Sequence, residues 1–136
     1  DVDLEERIKI HKSRRPKIWK TVEGRIDLVS IINNTDSKNY LIIDSLGGFI
    51  AANLHLSKND WIVLSNNLMN SINNYKGSII IVIEEVGWGL ISQYKIGNIF
   101  RDRIGILSQQ LESISINSWL VLQGRAIDLN KFSIRI

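Results

Sequence analysis

One histidine in this chain stands inside a run of cations. RIKIHKSRRPKIWKTVE, residues 7–23, carries His11 followed by Lys12, Arg14 and Arg15. A neutral imidazole is a competent nucleophile toward phosphorus, and adjacent cations favour the neutral form and neutralise the phosphates being displaced. The same pattern also describes a partly exposed helix histidine with solvated basic neighbours, and on composition alone that structural role is the commoner one. Asp44 ends the apolar run YLIID. A carboxylate there either holds Mg2+ on a nucleotide phosphate, as at the end of a Walker B strand, or caps the helix that follows. EEVGWG, residues 84–89, sets Glu85 beside two glycines. Glu85 can serve as metal ligand or general base where the glycines let the backbone approach a ligand; a plain strand-to-helix turn has the same composition. FRDRIG, residues 100–105, reads as a helix with Arg101 and Asp102 in solvent, and Trp19, Trp61, Trp88 and Trp119 read as core or interface rather than base-stacking platforms. His55, on an expected helix without a metal-ligand partner, reads as structural.

These residues need elements to carry them. Residues 3–14 have acids in the first turn and bases in the last, as the helix dipole prefers, and Pro16 closes the helix. WKTVE alternates like a short strand, and a second helix is expected from Ile26 to Asn34, followed by a loop over NNTDSKN. YLIID (40–44), SIIIVIEE (78–85) and SWLVLQ (118–123) are continuous apolar runs, the pattern of strands buried on both faces of a parallel sheet. Helical stretches over 47–56, 60–74 and 96–112 separate them, so the expected class is α/β with a parallel sheet, and AIDLN after Gly124 is a candidate edge strand. Ligands of such sheets gather at the carboxyl ends of the strands, where Asp44 and Glu84-Glu85 stand.

Composition narrows the function classes. A chain of 136 residues with 44% hydrophobic content fits one domain. With no cysteine, disulfides and thiolate metal sites are excluded and a cytoplasmic home is expected; no apolar run reaches the roughly 18 residues that span a bilayer. The net charge of +3 is local: residues 1–25 hold eight Lys/Arg against five Asp/Glu, and the rest of the chain holds nine of each. A confined cluster suits a small polyanion, not a nucleic-acid surface, for which no recognition motif is present. No G-x-x-x-x-G-K-[ST] occurs, since none of the nine glycines precedes Lys-Ser or Lys-Thr.

Taken in order, RIKIHKSRRPKIWKTVE, LIIDSLGGFIAANL, VIEEVGWG and FRDRIGILSQQL resemble the bifunctional adenosylcobinamide kinase / adenosylcobinamide-phosphate guanylyltransferase family of cobalamin biosynthesis, over nearly the whole chain. The first motif, R-I-x-x-H followed by R-P-x-x-W-x-T-x-E, is the specific one. The resemblance implies a P-loop-NTPase-like (RecA-like), mostly parallel sheet with flanking helices, in a single nucleotide-binding and guanylyltransferase domain over residues 1–136. The family's first strand, phosphate loop and first helix are expected to precede Asp1. By resemblance His11 is the nucleophile that takes GMP from GTP; Lys12, Ser13, Arg14 and Arg15 match the segment that contacts GTP; Glu23 matches a nucleotide-contacting acid whose carboxylate accepts guanine N1 and N2 protons. Asp44 matches the acid near the phosphates or the metal, and Glu85 is a further metal candidate, with Arg101 and Asp102 nearby. GTP and ATP as substrates with Mg2+, adenosylcobinamide and its phosphate as acceptors, no nucleic acid, no membrane span, a homotrimer and a cytoplasmic location follow from the same resemblance. The chain departs from the family pattern at Glu84, where the family has Asn, at Leu90-Ile91-Ser92, where it has Val-Pro, and at Asn98, where arginine is common. A kinase step needs backbone amides around the β and γ phosphates, so a nucleotide-binding protein without kinase activity is the alternative expectation.

Overall fold

A computed structural model describes the backbone of residues 2–24 and 27–135, and the side chains of these residues other than 2–5, 7 and 11. The order is α1 (Val2–Arg14), α2 (Leu28–Asn34), β1 (Tyr40–Ile43), α3 (Leu46–Ala52), α4 (Lys58–Asn74), β2 (Ser78–Ile81), α5 (Lys95–Ile114), β3 (Trp119–Leu122), β4 (Arg125–Asp128) and α6 (Leu129–Phe132).

The core is made by apolar stripes on four helices: Leu28 and Ile32 on α2, Leu46, Phe49 and Ile50 on α3, Trp61 and Leu68 on α4, and Ile104, Leu107 and Leu111 on α5. Their three- and four-residue spacings put each set on one helix face. Strands β1 and β2 run parallel, with Tyr40 opposite Ser78 and Ile43 opposite Ile81, and Leu41, Ile43, Ile81 and Ile83 pack onto the helices.

The architecture is therefore mixed α/β with a two-stranded parallel sheet packed on the helices by one face, and three expectations change. The strands alternate instead of being buried on both faces: Tyr40, Ile42 and Ile80 are exposed among the described residues. SWLVLQ does not join the parallel sheet, because its strand β3 pairs antiparallel with β4, Leu122 opposite Arg125. The physical reason is the turn. Gln123 and Gly124 both have positive φ, 51° and 72°, the backbone of a two-residue hairpin whose twist matches its strands, so β3 pairs one edge with its own neighbour, and among the described residues its other edge meets no strand of the parallel sheet. WKTVE forms no strand; Trp19 is held in a turn by its N–H on the Pro16 carbonyl, 3.0 Å.

Trp61 alone of the four tryptophans is buried, while Trp19, Trp88 and Trp119 are at least half exposed. Arg103, also buried, holds the turn between α3 and α4. Its guanidinium donates to the carbonyls of Asn53 (2.8 Å) and Leu56 (2.7 Å) and lies 4.7 Å from the centre of the Trp61 ring. Burial pulls the pKa of Arg103 below its usual value, a desolvation cost that two charge-assisted hydrogen bonds and the ring face offset. His55 lies in that turn, exposed, and not on a helix.

Candidate functional site

The carboxyl ends of β1 and β2 are laced together. Val82 N–H donates to the Ile43 carbonyl (2.9 Å) and Leu46 N–H donates to the Val82 carbonyl (3.0 Å), so the chain leaving β1 turns straight into α3 beside the chain leaving β2. Asp44 sits at this crossing, exposed, and among the described residues its carboxylate makes no hydrogen bond or ion pair. The next residue, Ser45, donates its hydroxyl to Glu84 Oε1, and the other Glu84 oxygen accepts from Gly47 N–H at 3.0 Å. Glu84 thus caps α3 from the neighbouring strand end, a placement the helix dipole favours for an anion. Gly47 is required for this approach, because a Cβ there would run into the Glu84 carboxylate.

The turn after β2 is pinned twice at one residue. Glu85 Oε1 accepts from Gly87 N–H (2.6 Å), and Arg101 of α5 donates to the Gly87 carbonyl (2.9 Å). Among the described residues Glu85 uses one carboxylate oxygen in a hydrogen bond, whereas both oxygens of Glu84 accept one. Asp102, next to Arg101, is exposed. Among the described residues no group of three or more acids and histidines is arranged to cage a metal ion.

The basic segment forms a second cluster. Lys12 Nζ and Glu23 Oε1 are 3.6 Å apart across an exposed gap, Arg15 donates to the Thr21 hydroxyl at 3.1 Å, and Ser13 donates to the Ile10 carbonyl at 2.8 Å. The chain past Pro16 folds back on α1, so Lys12, Arg15 and Glu23 stand near one another. Arg14 is exposed on the last turn of α1. His11 lies on α1 directly before Lys12; its side chain falls outside the described ones. Among the described residues no hydrogen bond or ion pair joins this cluster to the strand ends.

Residues 1–129 match the profile of the family described as cobinamide kinase / cobinamide phosphate guanyltransferase. The chain belongs to that family. Its match takes in α1, both parallel strands, α5 and the β3–β4 hairpin. The chain is also 23% identical over 144 residues to the bifunctional adenosylcobalamin biosynthesis protein CobU of Escherichia coli (strain K12), across 95% of this chain and 80% of that protein. Among the described residues of this cobinamide kinase / guanyltransferase family member, no helix is long and apolar enough to cross a membrane. Two participants escaped sequence reasoning: Ser45 as a donor to Glu84, and Glu84 as the cap of α3. The departure from the family's Asn at Glu84 was the one available signal, and it carried no hint of a partner 37 residues away.

Proposed function

We propose that this chain carries the guanylyl-transfer step of its family, with His11 as the nucleophile. The imidazole nitrogen attacks the α-phosphorus of GTP; a P–N bond forms as the bond to the bridging oxygen breaks, and pyrophosphate leaves. A phosphate oxygen of adenosylcobinamide phosphate then attacks the same phosphorus, takes the GMP group and returns the imidazole. Lys12, Arg14 and Arg15 neutralise the polyphosphate, Ser13 adds a hydroxyl donor, and Glu23 accepts the guanine N1 and N2 protons. Asp44, with Glu85 as second donor, would hold Mg2+, which supplies charge neutralisation on the phosphates when bound.

The observation that carries the reading is the family match through residues 1–129 together with the fold-back that pairs Lys12 with Glu23. A solvent-exposed pair of this kind is worth about 0–1 kcal/mol, so guanine and phosphate can replace the two partners at little cost. Incubation with α-labelled GTP and Mg2+ should leave acid-labile label on the chain and none on His11→Ala; label that survives in that variant removes the reading.

The second reading is a non-catalytic nucleotide-binding remnant or partner subunit lacking kinase activity. A nucleotide-binding subunit without kinase activity would then transfer no label from γ-labelled ATP or GTP to adenosylcobinamide. Either reading keeps residues 1–136 as one P-loop-NTPase-like domain, acting as a cytoplasmic homotrimer; a sedimentation mass of one or two chains would remove the trimer.

A further inference from the structure

Among the described residues, four of the five from Ile43 to Gly47 are tied by hydrogen bonds to the chain leaving β2. Backbone bonds to Val82 hold Ile43 and Leu46, and the Glu84 carboxylate holds the Ser45 hydroxyl and Gly47 N–H. The exception is Asp44, whose exposed carboxylate makes no hydrogen bond or ion pair there. The backbone on both sides of Asp44 is therefore held while its side chain is left unused. Two of the four ties come from one side chain, Glu84, which stands where the family pattern has Asn.

We infer that Glu84 is a positioning residue for Asp44: its carboxylate latches the turn from β1 into α3 so that the one unengaged side chain of that turn is presented at the strand end. The inference rests on the reading of Asp44 as a residue that contacts GTP, and deepens it by naming what holds it. Ser45 is the next residue in the chain, so freeing its hydroxyl frees the backbone directly after Asp44. A side chain that meets a ligand needs such support from its neighbours to keep its geometry. The sign of the effect is diagnostic. By charge alone Glu84 repels a polyphosphate, and its removal should tighten nucleotide binding; positioning requires that its removal weaken binding.

Equilibrium dialysis against guanosine 5′-(α,β-methylene)triphosphate, whose carbon bridge blocks transfer from the α-phosphorus, tests the latch without the covalent step. Glu84→Ala should raise the dissociation constant about three- to tenfold. Gly47→Ala drives the same carboxylate away while leaving it in the chain, and should weaken binding too. Glu84→Gln should bind at least as tightly as the parent, because its amide oxygen accepts from Gly47 N–H and its amide nitrogen donates to the Ser45 hydroxyl oxygen. In an Asp44→Ala background, Glu84→Ala should change binding by less than about twofold, since a residue that acts through another loses its effect with it. Asn53→Ala is the structural control. It frees the other end of α3, where the Asn53 amide donates to the Phe49 carbonyl at 2.9 Å, and should leave binding within about twofold of the parent. Parent-like binding by Glu84→Ala, a loss that is equal with and without Asp44, an equal loss in Asn53→Ala, or absence of binding by the parent overturns the assignment. Asp44→Ala that binds as the parent does removes the Asp44 reading and the assignment with it. The expected pattern of losses in a chain that takes no label from α-labelled GTP supports the positioning and sinks the transfer reading alone.

Discussion

The basic segment and the strand-end crossing hold comparable numbers of chemically useful groups and are built in opposite ways. From Lys12 to Glu23 nearly every described side chain is exposed, and the contacts that shape the segment are local ones within about ten residues. At the crossing, contacts span 37 and 39 residues, Glu84 to Gly47 and to Ser45, and they rest on α3, whose Leu46, Phe49 and Ile50 are buried. The difference teaches that the two regions answer to different physics. The first is set by local charge pairing on an exposed surface; the second is set by core packing, which fixes the Glu84 carboxylate on the N-terminus of α3.

Substitutions can break that contrast. The largest effect belongs to the exposed side: His11→Ala should reduce guanylyl transfer by at least about 10³-fold, with thermal unfolding followed in parallel. Arg103→Met removes the guanidinium from two buried carbonyls and the Trp61 face, and should cost about 3 kcal/mol in urea unfolding; a loss below about 1 kcal/mol would mean the turn between α3 and α4 does not depend on it. Gly47→Ala puts a Cβ against the Glu84 carboxylate, which must leave the α3 N-terminus; alanine's better helix propensity offsets part of the lost hydrogen bonds, so the net cost should stay under about 1 kcal/mol. Removing the clash partner should reveal the coupling: in Glu84→Ala the same glycine substitution should cost less. The smallest stability effect is expected from Lys12→Ala and Glu23→Gln, whose double-mutant coupling should stay under about 1 kcal/mol and shrink as salt is raised. A coupling above that would place the basic segment with the packed half of the molecule.

Much of the element order was readable. Acids then bases along residues 3–14 mark α1, and the apolar runs at 40–43 and 78–81 are the two parallel strands. Asp44 at a strand end was equally plain, since an acid directly after an apolar run has few other positions to take. The expectation for SWLVLQ erred because an apolar run records that a strand forms, not which neighbour takes its hydrogen bonds; the Gln123-Gly124 turn made that choice. Two-sided burial of β1 and β2 failed for a related reason. Isoleucine at 42 and 80 is compatible with either face, and burial depends on what packs there.

By itself, then, the sequence determined the family, the placement of His11 at the head of a basic arm, and the helices and strands whose periodicity is local. These follow from residue type and near-neighbour spacing, which chain order alone specifies. Tertiary structure decided that Lys12 faces Glu23, that Glu84 and not Asp44 is the α3 cap, that Arg101 and Glu85 hold the two sides of Gly87, and that α4 and α5 leave a groove between them. Each of those depends on which surfaces the core brings within a few ångströms, and that is settled by packing the buried faces of α2 to α5 together, not by any single stretch of the chain.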